Sequence, residues 1–166
     1  MISTVEKVLF LKSIDLFSQI PGEEISQIAL ITDEVLFDAG DEIFREGEPG
    51  QTLYFVLEGR VRIHRLDAAE DLAQLGERAV FGEMALLDSE PRSANATAVT
   101  DVVCLKIERD DFNEILTEKG EIAQGIIKVL TRRLRDTLDR RRVGGQSGPN
   151  PVAPGPVAAT AKEGAK

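Results

Sequence analysis

An acidic and a basic side chain stand nine positions apart in FGEMALLDSEPRSANATAV, residues 81–99. Glu83 directly follows a glycine, and Arg92 directly follows a proline. The planar guanidinium of an arginine can pair with two oxygens of one phosphate, and a carboxylate can accept hydrogen bonds from ribose hydroxyls. The two residue types therefore suit a ligand that carries a phosphate close to its sugar.

The residues around Glu83 also predict a backbone site for an anion. Gly82 permits a tight turn, and residues 83–87 are expected to form one helical turn. The first N–H groups of such a turn lack intrahelical partners and can point at a bound anion. Small side chains at Gly82 and Ala85 let the anion approach closely, and Pro91 stiffens the turn that returns Arg92 to this place.

The spacing by itself leaves two interpretations. An exposed Glu–Arg ion pair beside a turn is common and is often worth less than about 1 kcal/mol. The alternative is a nucleotide site in which Glu83 binds the ribose while Arg92 offsets its charge. A cyclic 3′,5′-monophosphate has the shape that this second interpretation requires.

The stretch resembles the phosphate-binding cassette of the cyclic nucleotide-binding domain family, which includes regulatory subunits of cAMP-dependent protein kinase, the bacterial catabolite activator and cyclic nucleotide-gated channels. That cassette reads approximately F-G-E-x-A-L, a variable turn and then P-R-x-A. The matching positions are Phe81, Gly82, Glu83, Ala85, Leu86, Pro91, Arg92 and Ala94. The resemblance covers roughly residues 4–142 and includes turn glycines at Gly47, Gly50 and Gly59. Gln51 departs from the family, where an aspartate is more usual, which puts one turn hydrogen bond in question.

The resemblance implies a cyclic nucleotide ligand, with no catalytic residue, metal or cofactor. Arg92 is expected to bind the exocyclic phosphate oxygens and Glu83 the ribose 2′-hydroxyl, while the amides of Ala85 and Ser93 complete the cradle. The expected ligand site comprises Phe81, Gly82, Glu83, Met84, Ala85, Arg92, Ser93 and Ala94. In the family, alanine often follows the arginine in cAMP sites and threonine in cGMP-preferring sites. Ser93 lies between these cases, so cAMP is favoured and some cGMP binding is expected.

The elements that must position this site follow from the spacing of apolar residues. Residues 4–17 and 21–31 carry apolar side chains at helical intervals, and Pro21 suits a helix start. From Val35 the chain changes to short apolar runs separated by glycine turns, which favours antiparallel strands. The expected fold is mainly β with flanking α: an antiparallel, jelly-roll-like β-roll over about 34–108, N-terminal helices over about 4–31 and C-terminal helices over about 109–142.

A long helix is predicted from about Glu121 to Arg142. Its apolar stripe must face either the β-roll or a second copy of the chain, so a homodimer is one expectation. The stripe comprises Ile122, Ile126, Val129 or Leu130, Leu134 and Leu138. The same helix is basic, which is consistent with a solvated face or with contact to a partner, a ligand or an anion. Arg132, Arg133 and Arg135 are candidates for a lid over the purine.

The composition excludes several classes of protein. The chain has 166 residues, 42% hydrophobic and 30% charged, which fits one domain with a core. A formal net charge of −9 offers no general footprint for nucleic acids, and no apolar run is long enough for a membrane helix. Cys104 is expected to be a small buried apolar side chain and His64 a surface strand residue rather than a catalytic base. We expect a cytoplasmic protein.

Residues 143–166 are rich in Gly, Pro and Ala and are predicted to be a disordered tail. Because no further helices are predicted after Arg142, a helix-turn-helix transcription factor is not expected. The expected function is a stand-alone, non-catalytic sensor that couples cAMP binding to movement of the C-terminal helix and signals through an unidentified protein. The rival functions are a cGMP-preferring sensor and an interaction scaffold that has kept the fold but lost the ligand.

Overall fold

The protein is built from two antiparallel sheets flanked by helices. The computed structural model describes residues 1–83 and 88–143. The helices are α1 (Thr4–Lys12), α2 (Gly22–Leu30), α3 (Arg109–Glu118) and α4 (Gly120–Val143), with a 3-10 turn at Asp15–Phe17. The strands are β1 (Thr32–Phe37), β2 (Glu42–Phe44), β3 (Thr52–Glu58), β4 (Val61–His64), β5 (Ala73–Leu75), β6 (Val80–Phe81), β7 (Asn95–Ala98) and β8 (Val102–Glu108). This architecture confirms the predicted β-roll with flanking helices.

The two sheets together form the β-roll, and a hydrophobic core fills the space between them. One sheet has the strand order β1-β8-β3-β6 and the other β2-β7-β4-β5. Successive residues of a strand point to opposite faces, and β3 and β8 are buried on both. Leu53 and Phe55 of β3 join a core shared with the helices, whereas Val56 and Cys104 join the core inside the roll. Strands β3 and β8 therefore connect the helical core to the roll interior.

Cys104 and the alternation of β4 agree with the sequence. Val61 and Ile63 are buried while Arg62 and His64 are half-buried, so one face of β4 is packed, and His64 lies on a strand as predicted. Cys104 is fully buried, and burial raises the pKa of its thiol to about 12. The side chain therefore acts as an apolar core residue.

The N-terminal helix is shorter than predicted. It begins at a capping box formed by Ser3 and Glu6 and ends at Lys12, because Ile14 adopts an extended conformation with ψ near 125°. That break turns Ile14 and Phe17 into the helical core, where both are buried. The single helix predicted for residues 4–17 is therefore wrong.

Helix α4 has two apolar faces rather than the predicted single stripe. Ile122 and Val129 are buried against the helical core, whereas Leu130, Leu134 and Leu138 are exposed. Ile122 and Val129 are seven residues apart, close to two turns of 3.6 residues, so they lie on one face. Leu130, Leu134 and Leu138 start one residue later and follow each other at intervals of four, which places them on another side of the helix. The helix lies close to the chain before α2, because a Cβ at Gly125 would come within 2.9 Å of the Gln19 carbonyl oxygen.

None of the helices in residues 1–83 and 88–143 is long and apolar enough to cross a membrane. The tail predicted to be disordered begins at Val143, which is the last residue of α4, and residues 144–166 lie outside the described ranges.

Candidate functional site

Gly82 makes the turn that places the candidate site. Strand β6 ends at Phe81, and Gly82 follows with a φ of 83°, in the left-handed region that favours glycine. A Cβ at this position would lie 2.7 Å from Nη1 of Arg92 and 2.9 Å from the carbonyl oxygen of Thr52. The close approach of Arg92 to this turn therefore requires that residue 82 have no side chain.

Glu83 and Arg92 are both buried, as a site for a charged ligand requires. Among the charged residues in ranges 1–83 and 88–143, these two are the ones that the fold buries, each with 7% of its surface exposed. Charges are costly to bury unless other groups compensate them. The exposed surface ion pair that the spacing left open is therefore excluded.

The guanidinium of Arg92 is held by the backbone and by an aromatic ring. Its Nη2 donates to the carbonyl oxygen of Thr52 at 2.9 Å, and its Nη1 donates to that of Gly82 at 3.4 Å. Its Cζ lies 4.0 Å from the ring centroid of Phe44. Within the described residues, the buried Nε–H has no hydrogen-bond acceptor. The guanidinium is thus placed while part of its donor capacity is unused.

The main chain of Arg92 is fixed to the loop between β2 and β3. The N–H of Arg92 donates to the carbonyl oxygen of Glu48, and the N–H of Gly47 donates to that of Arg92, each at 2.7 Å. Pro49 and Pro91 form an isolated bridge beside these bonds. Gly47, one of the predicted turn glycines, therefore helps to fix the position of the Arg92 backbone.

Burial and nearby acids act on Arg92 in opposite directions. Burial lowers the pKa of its guanidinium, whereas Tyr54 and then Glu48, Glu108 and Glu83 raise it. The pKa of an arginine is so high that the group stays charged at neutral pH. The site therefore presents a desolvated cation with a buried carboxylate in its neighbourhood.

The other predicted ligand residues lie on the same turn and on the strand that follows Arg92. Phe81 is buried and stacks on Tyr54 with ring centroids 5.1 Å apart. Ala94 is buried and Ser93 is half-buried. Met84 and Ala85 lie outside the described residues, as does most of the helical turn predicted for residues 83–87.

The lid candidates contact another part of the protein. Nη2 of Arg132 donates to one carboxylate oxygen of Asp15 at 2.7 Å, and Nη2 of Arg133 donates to the other at 2.7 Å. Arg135 is exposed. These contacts attach α4 to the 3-10 turn, and the lid role of the three arginines stays a prediction about the ligand-bound protein.

Two contacts at the site were not predicted from the sequence. Phe44 and Tyr54 lie in the predicted β-roll over about 34–108, and the sequence of an apolar strand gives no sign that one of its side chains contacts an arginine. Nη1 of Arg109, the first residue of α3, donates to Oγ of Ser89 at 2.7 Å. The main-chain N–H of Arg109 also donates to the carbonyl oxygen of Gln51, so the turn in question at Gln51 is held through its backbone.

His64 lies apart from this arrangement. Its Nε2 is 2.8 Å from Oγ1 of Thr97, and burial and then the charge of Arg62 lower the pKa of its imidazole. In the part of the chain that the structure describes, no cluster of His, Cys, Asp or Glu could hold a metal ion. A buried guanidinium such as that of Arg92 is suited to pairing with an anion, and a carboxylate such as that of Glu83 can accept hydrogen bonds.

Comparison with known proteins identifies relatives of this chain. A family profile described as cyclic nucleotide-binding domain matches residues 34–119. The chain is 38% identical, over 122 residues, to a CRP-like cAMP-activated global transcriptional regulator from Mycobacterium tuberculosis, covering 70% of this chain and 54% of the relative. It is 36% identical to the cyclic AMP receptor protein of Thermus thermophilus, covering 76% of this chain and 60% of the relative.

A solved structure shares the fold. The N-terminal domain of a transcriptional regulator from Streptomyces coelicolor superimposes with a TM-score of 0.71 at 34% identity, covering 78% of this chain and 95% of that one. The chain spans little more than half the length of the two full-length regulators it matches. The profile match includes the turn of Gly82 and both buried charged residues. This chain belongs to the cyclic nucleotide-binding domain family.

Proposed function

We propose that the chain is a sensor that binds cAMP and has no catalytic activity of its own. Support comes from the buried pair Glu83 and Arg92 and from the names of two relatives, one cAMP-activated and the other a cyclic AMP receptor. Arg92 takes the charge of the phosphate through its unused Nε–H and the remaining N–H groups. Glu83 accepts a hydrogen bond from the ribose 2′-hydroxyl.

The burial of Arg92 is the observation that carries this proposal. Arg92 has 7% of its surface exposed, so its side chain has lost most of its hydration, and two bonds to carbonyl oxygens replace only part of it. A phosphate placed against Nε and its neighbours restores the missing charge-assisted bonds. A scaffold that had lost its ligand would gain nothing from a buried cation with an unused donor.

Ser93 bears on the choice of base. The side chain is half-buried beside Arg92, and in the resemblance to the family its hydroxyl stands between the alanine of cAMP sites and the threonine of cGMP-preferring sites. We therefore propose a preference for cAMP with weaker binding of cGMP. A cGMP-preferring sensor is the second outcome that a comparison of the two affinities distinguishes.

Calorimetric titration with cAMP and cGMP tests the proposal. Arg92→Leu should weaken cAMP binding by about 2–5 kcal/mol, because it removes a desolvated charge that the phosphate pairs with. Arg62→Leu is the matched control, since Arg62 lies on β4 and its guanidinium forms a partly exposed ion pair with Asp71. Affinity should be unchanged in this control.

A wild-type protein that binds neither nucleotide would overturn the proposal and favour the scaffold. Equal affinity in the wild type and Arg92→Leu would reject the assigned role of the guanidinium.

Ligand binding is proposed to move the C-terminal helices. The bond from Arg109 to Ser89 joins the first residue of α3 to the variable turn of the cassette, so displacement of the cassette acts on α3. Helix α4 then moves toward the base with Arg132, Arg133 or Arg135 over the purine. Spin labels at Leu134 and on β4 should change their distance when cAMP is added, and an unchanged distance would exclude this motion.

A homodimer through α4 is proposed on the basis of its outer face. Ile127, Leu130, Leu134 and Leu138 are exposed at intervals of three and four residues, which is the spacing of a helix–helix seam. We propose that the same face of a second copy covers these residues. A two-fold interface brings identical surfaces together, so the apolar residues of one copy meet an equal number at the same spacing in the other.

Binding of nucleic acid is not proposed for residues 1–166, although the names of several relatives state that they regulate transcription. In the described ranges, two arginines of the basic helix α4 already bind Asp15, and the chain carries a net charge of −9. We expect no shift of duplex DNA in a gel, with or without cAMP. A cytoplasmic location and an unidentified protein partner stay predictions from the sequence.

A further inference from the structure

The guanidinium of Arg92 lies over the ring of Phe44, a contact that the proposed binding of phosphate does not require. Phe44 is the last residue of β2, and its ring centroid is 4.0 Å from Cζ of Arg92. At this distance the negative face of the ring attracts the cation, and the attraction grows when both groups are removed from water. Arg92 is buried and Phe44 is half-buried against the roll core, so the contact is largely removed from water on the side of the cation.

Phe44 is itself held by two other rings. Its centroid lies 5.9 Å from that of Phe81 and 6.2 Å from that of Tyr54. Phe81 and Tyr54 are paired in register across β6 and β3, and their rings stack. The ring below Arg92 therefore has few positions available to it and is fixed to the first residue of the cassette.

The remaining contacts of Arg92 leave its plane dependent on this ring. The carbonyl oxygens of Thr52 and Gly82 hold the ends of the guanidinium, one at 2.9 Å and the other at a long 3.4 Å. Two hydrogen bonds at the ends of the guanidinium still allow it to rotate about the line that joins them, and a ring 4.0 Å from Cζ opposes that rotation. The plane decides where the unused Nε–H is directed, and so whether an anion meets two donors or one.

We propose that Phe44 is a positioning residue for Arg92: its ring sets the plane of the guanidinium and compensates its charge before ligand binds. This inference rests on the proposed function, because the anion that Arg92 receives is taken to be the phosphate of cAMP. An ordinary core residue at position 44 would affect stability alone. A positioning residue affects the affinity for the phosphate beyond any loss of stability.

Three variants separate these roles in a calorimetric titration with cAMP. Phe44→Leu keeps an apolar side chain but removes the ring, and should weaken binding roughly 3- to 30-fold. Phe44→Tyr keeps the ring and should bind within about twofold of the wild type. Phe37→Leu is the matched control, because Phe37 packs in the same cluster, with its ring 6.1 Å from that of Tyr54, whereas among the described residues the ring over Arg92 is that of Phe44.

Equal loss of affinity in Phe44→Leu and Phe37→Leu would overturn the proposal, as would wild-type affinity in Phe44→Leu. The unfolding free energy of each variant, measured by urea titration, shows whether the two leucine variants are equally destabilised.

A second measurement needs no nucleotide. In the ligand-free protein the Nε–H signal of Arg92 should show an NMR ring-current shift that is lost in Phe44→Leu and retained in Phe37→Leu. If Phe44→Leu left this signal unchanged, the contact between the Phe44 ring and the Arg92 guanidinium would be rejected. Absence of cAMP binding by the wild type would instead reject the proposed function, and the NMR signal would still decide whether Phe44 positions Arg92.

Discussion

Arg92 combines two properties that conflict unless a ligand is expected. Its charge is buried, yet within residues 1–83 and 88–143 its Nε–H finds no hydrogen-bond acceptor. The left-handed conformation of Gly82 and the packing of Phe44 maintain this state, because the absence of a Cβ lets the backbone pass close to the guanidinium and the Phe44 ring lies 4.0 Å from Cζ. At this scale the site has the properties of the preorganised anion receptor that we propose.

The first residue-scale prediction concerns Gly82. Gly82→Ala should lower both stability and cAMP affinity, because the new Cβ meets the Thr52 carbonyl and Nη1 of Arg92 at a positive φ. Backbone strain alone costs about 1–3 kcal/mol, and displacement of Arg92 should weaken binding by a further tenfold or so. Thermal unfolding and calorimetry measure the two effects separately.

Gly40→Ala is the control for strain. Gly40 has a φ of 93° and open space around its Cβ position, so the variant is strained without touching Arg92. It should lose stability and keep its affinity. Equal affinities in the two variants would show that the clash at Gly82 does not matter for the ligand.

The sequence could predict the charged residues of the site but not their surroundings. Glu83 and Arg92 could be found because their spacing suits a nucleotide and the residues around them resemble the cassette of the family, although spacing alone also allowed an ordinary surface ion pair. Phe44 could not be found this way, because β2 and the cassette are far apart in sequence and come together only when β2 pairs with β7. Such a contact depends on sheet register, which spacing within one strand does not reveal.

At the scale of elements, α4 is attached to the body by its inner apolar face and by Asp15. Ile122 and Val129 pack into the helical core, and beyond them Arg132 and Arg133 bind both oxygens of Asp15. The second half of the helix therefore depends on a polar contact in a place where its apolar contacts have ended. A contact of this kind is easier to exchange than buried apolar surface.

Asp15→Asn should loosen the second half of α4. Burial acts to raise the pKa of Asp15, but hydrogen bonds and charges from Arg133 and Arg132 outweigh it, and the pKa is lowered from its ordinary value of 3.8. The carboxylate therefore stabilises the folded state above pH 3.8, and that contribution is lost as the pH falls through the lower folded value. Because Asp15 is about half exposed, we expect an effect of about 0.2–1 kcal/mol at neutral pH.

Amide hydrogen exchange in residues 130–143 should be faster in Asp15→Asn than in the wild type at neutral pH, and the difference should shrink below pH 3.8. Asp71→Asn breaks an ion pair with Arg62 on the roll and should leave α4 unaffected. Identical exchange in all three proteins would mean that the Asp15 contact does not hold the helix.

The elements were predicted well where one apolar face determines them and less well where tertiary contacts intervene. The β-roll and the helices around it follow from the change in apolar spacing near Val35. The break at Ile14 was missed because its extended conformation is imposed by burial of the residues around it. The division of α4 into two faces was missed because Val129 and Leu130 are adjacent, and spacing could not decide which one is buried.

At the scale of the whole molecule, two cores share the strands β3 and β8. The roll core contains the rings around Arg92, and the helical core contains the inner face of α4. We therefore expect that a displacement caused by ligand at the roll core is transmitted to the helices through β3 and β8, because these strands place residues in both cores. The bond from Arg109 to Ser89 adds a direct polar connection between the two regions.

The outer face of α4 predicts the oligomeric state. Sedimentation velocity of the wild type should show a dimer at micromolar concentration, and Leu134→Glu should give a monomer, because it places a charge in the apolar seam. Leu9→Glu, at an exposed leucine of α1, should remain dimeric. A monomeric wild type at high concentration would contradict the proposed seam.

The most direct test of the account is a crystal structure of the protein grown in saturating cAMP. We expect the phosphate oxygens within about 2.7–2.9 Å of the Arg92 guanidinium and the Glu83 carboxylate at hydrogen-bond distance from the ribose 2′-hydroxyl. An empty site in that crystal, or a nucleotide whose phosphate is bound away from Arg92, would contradict the central claim.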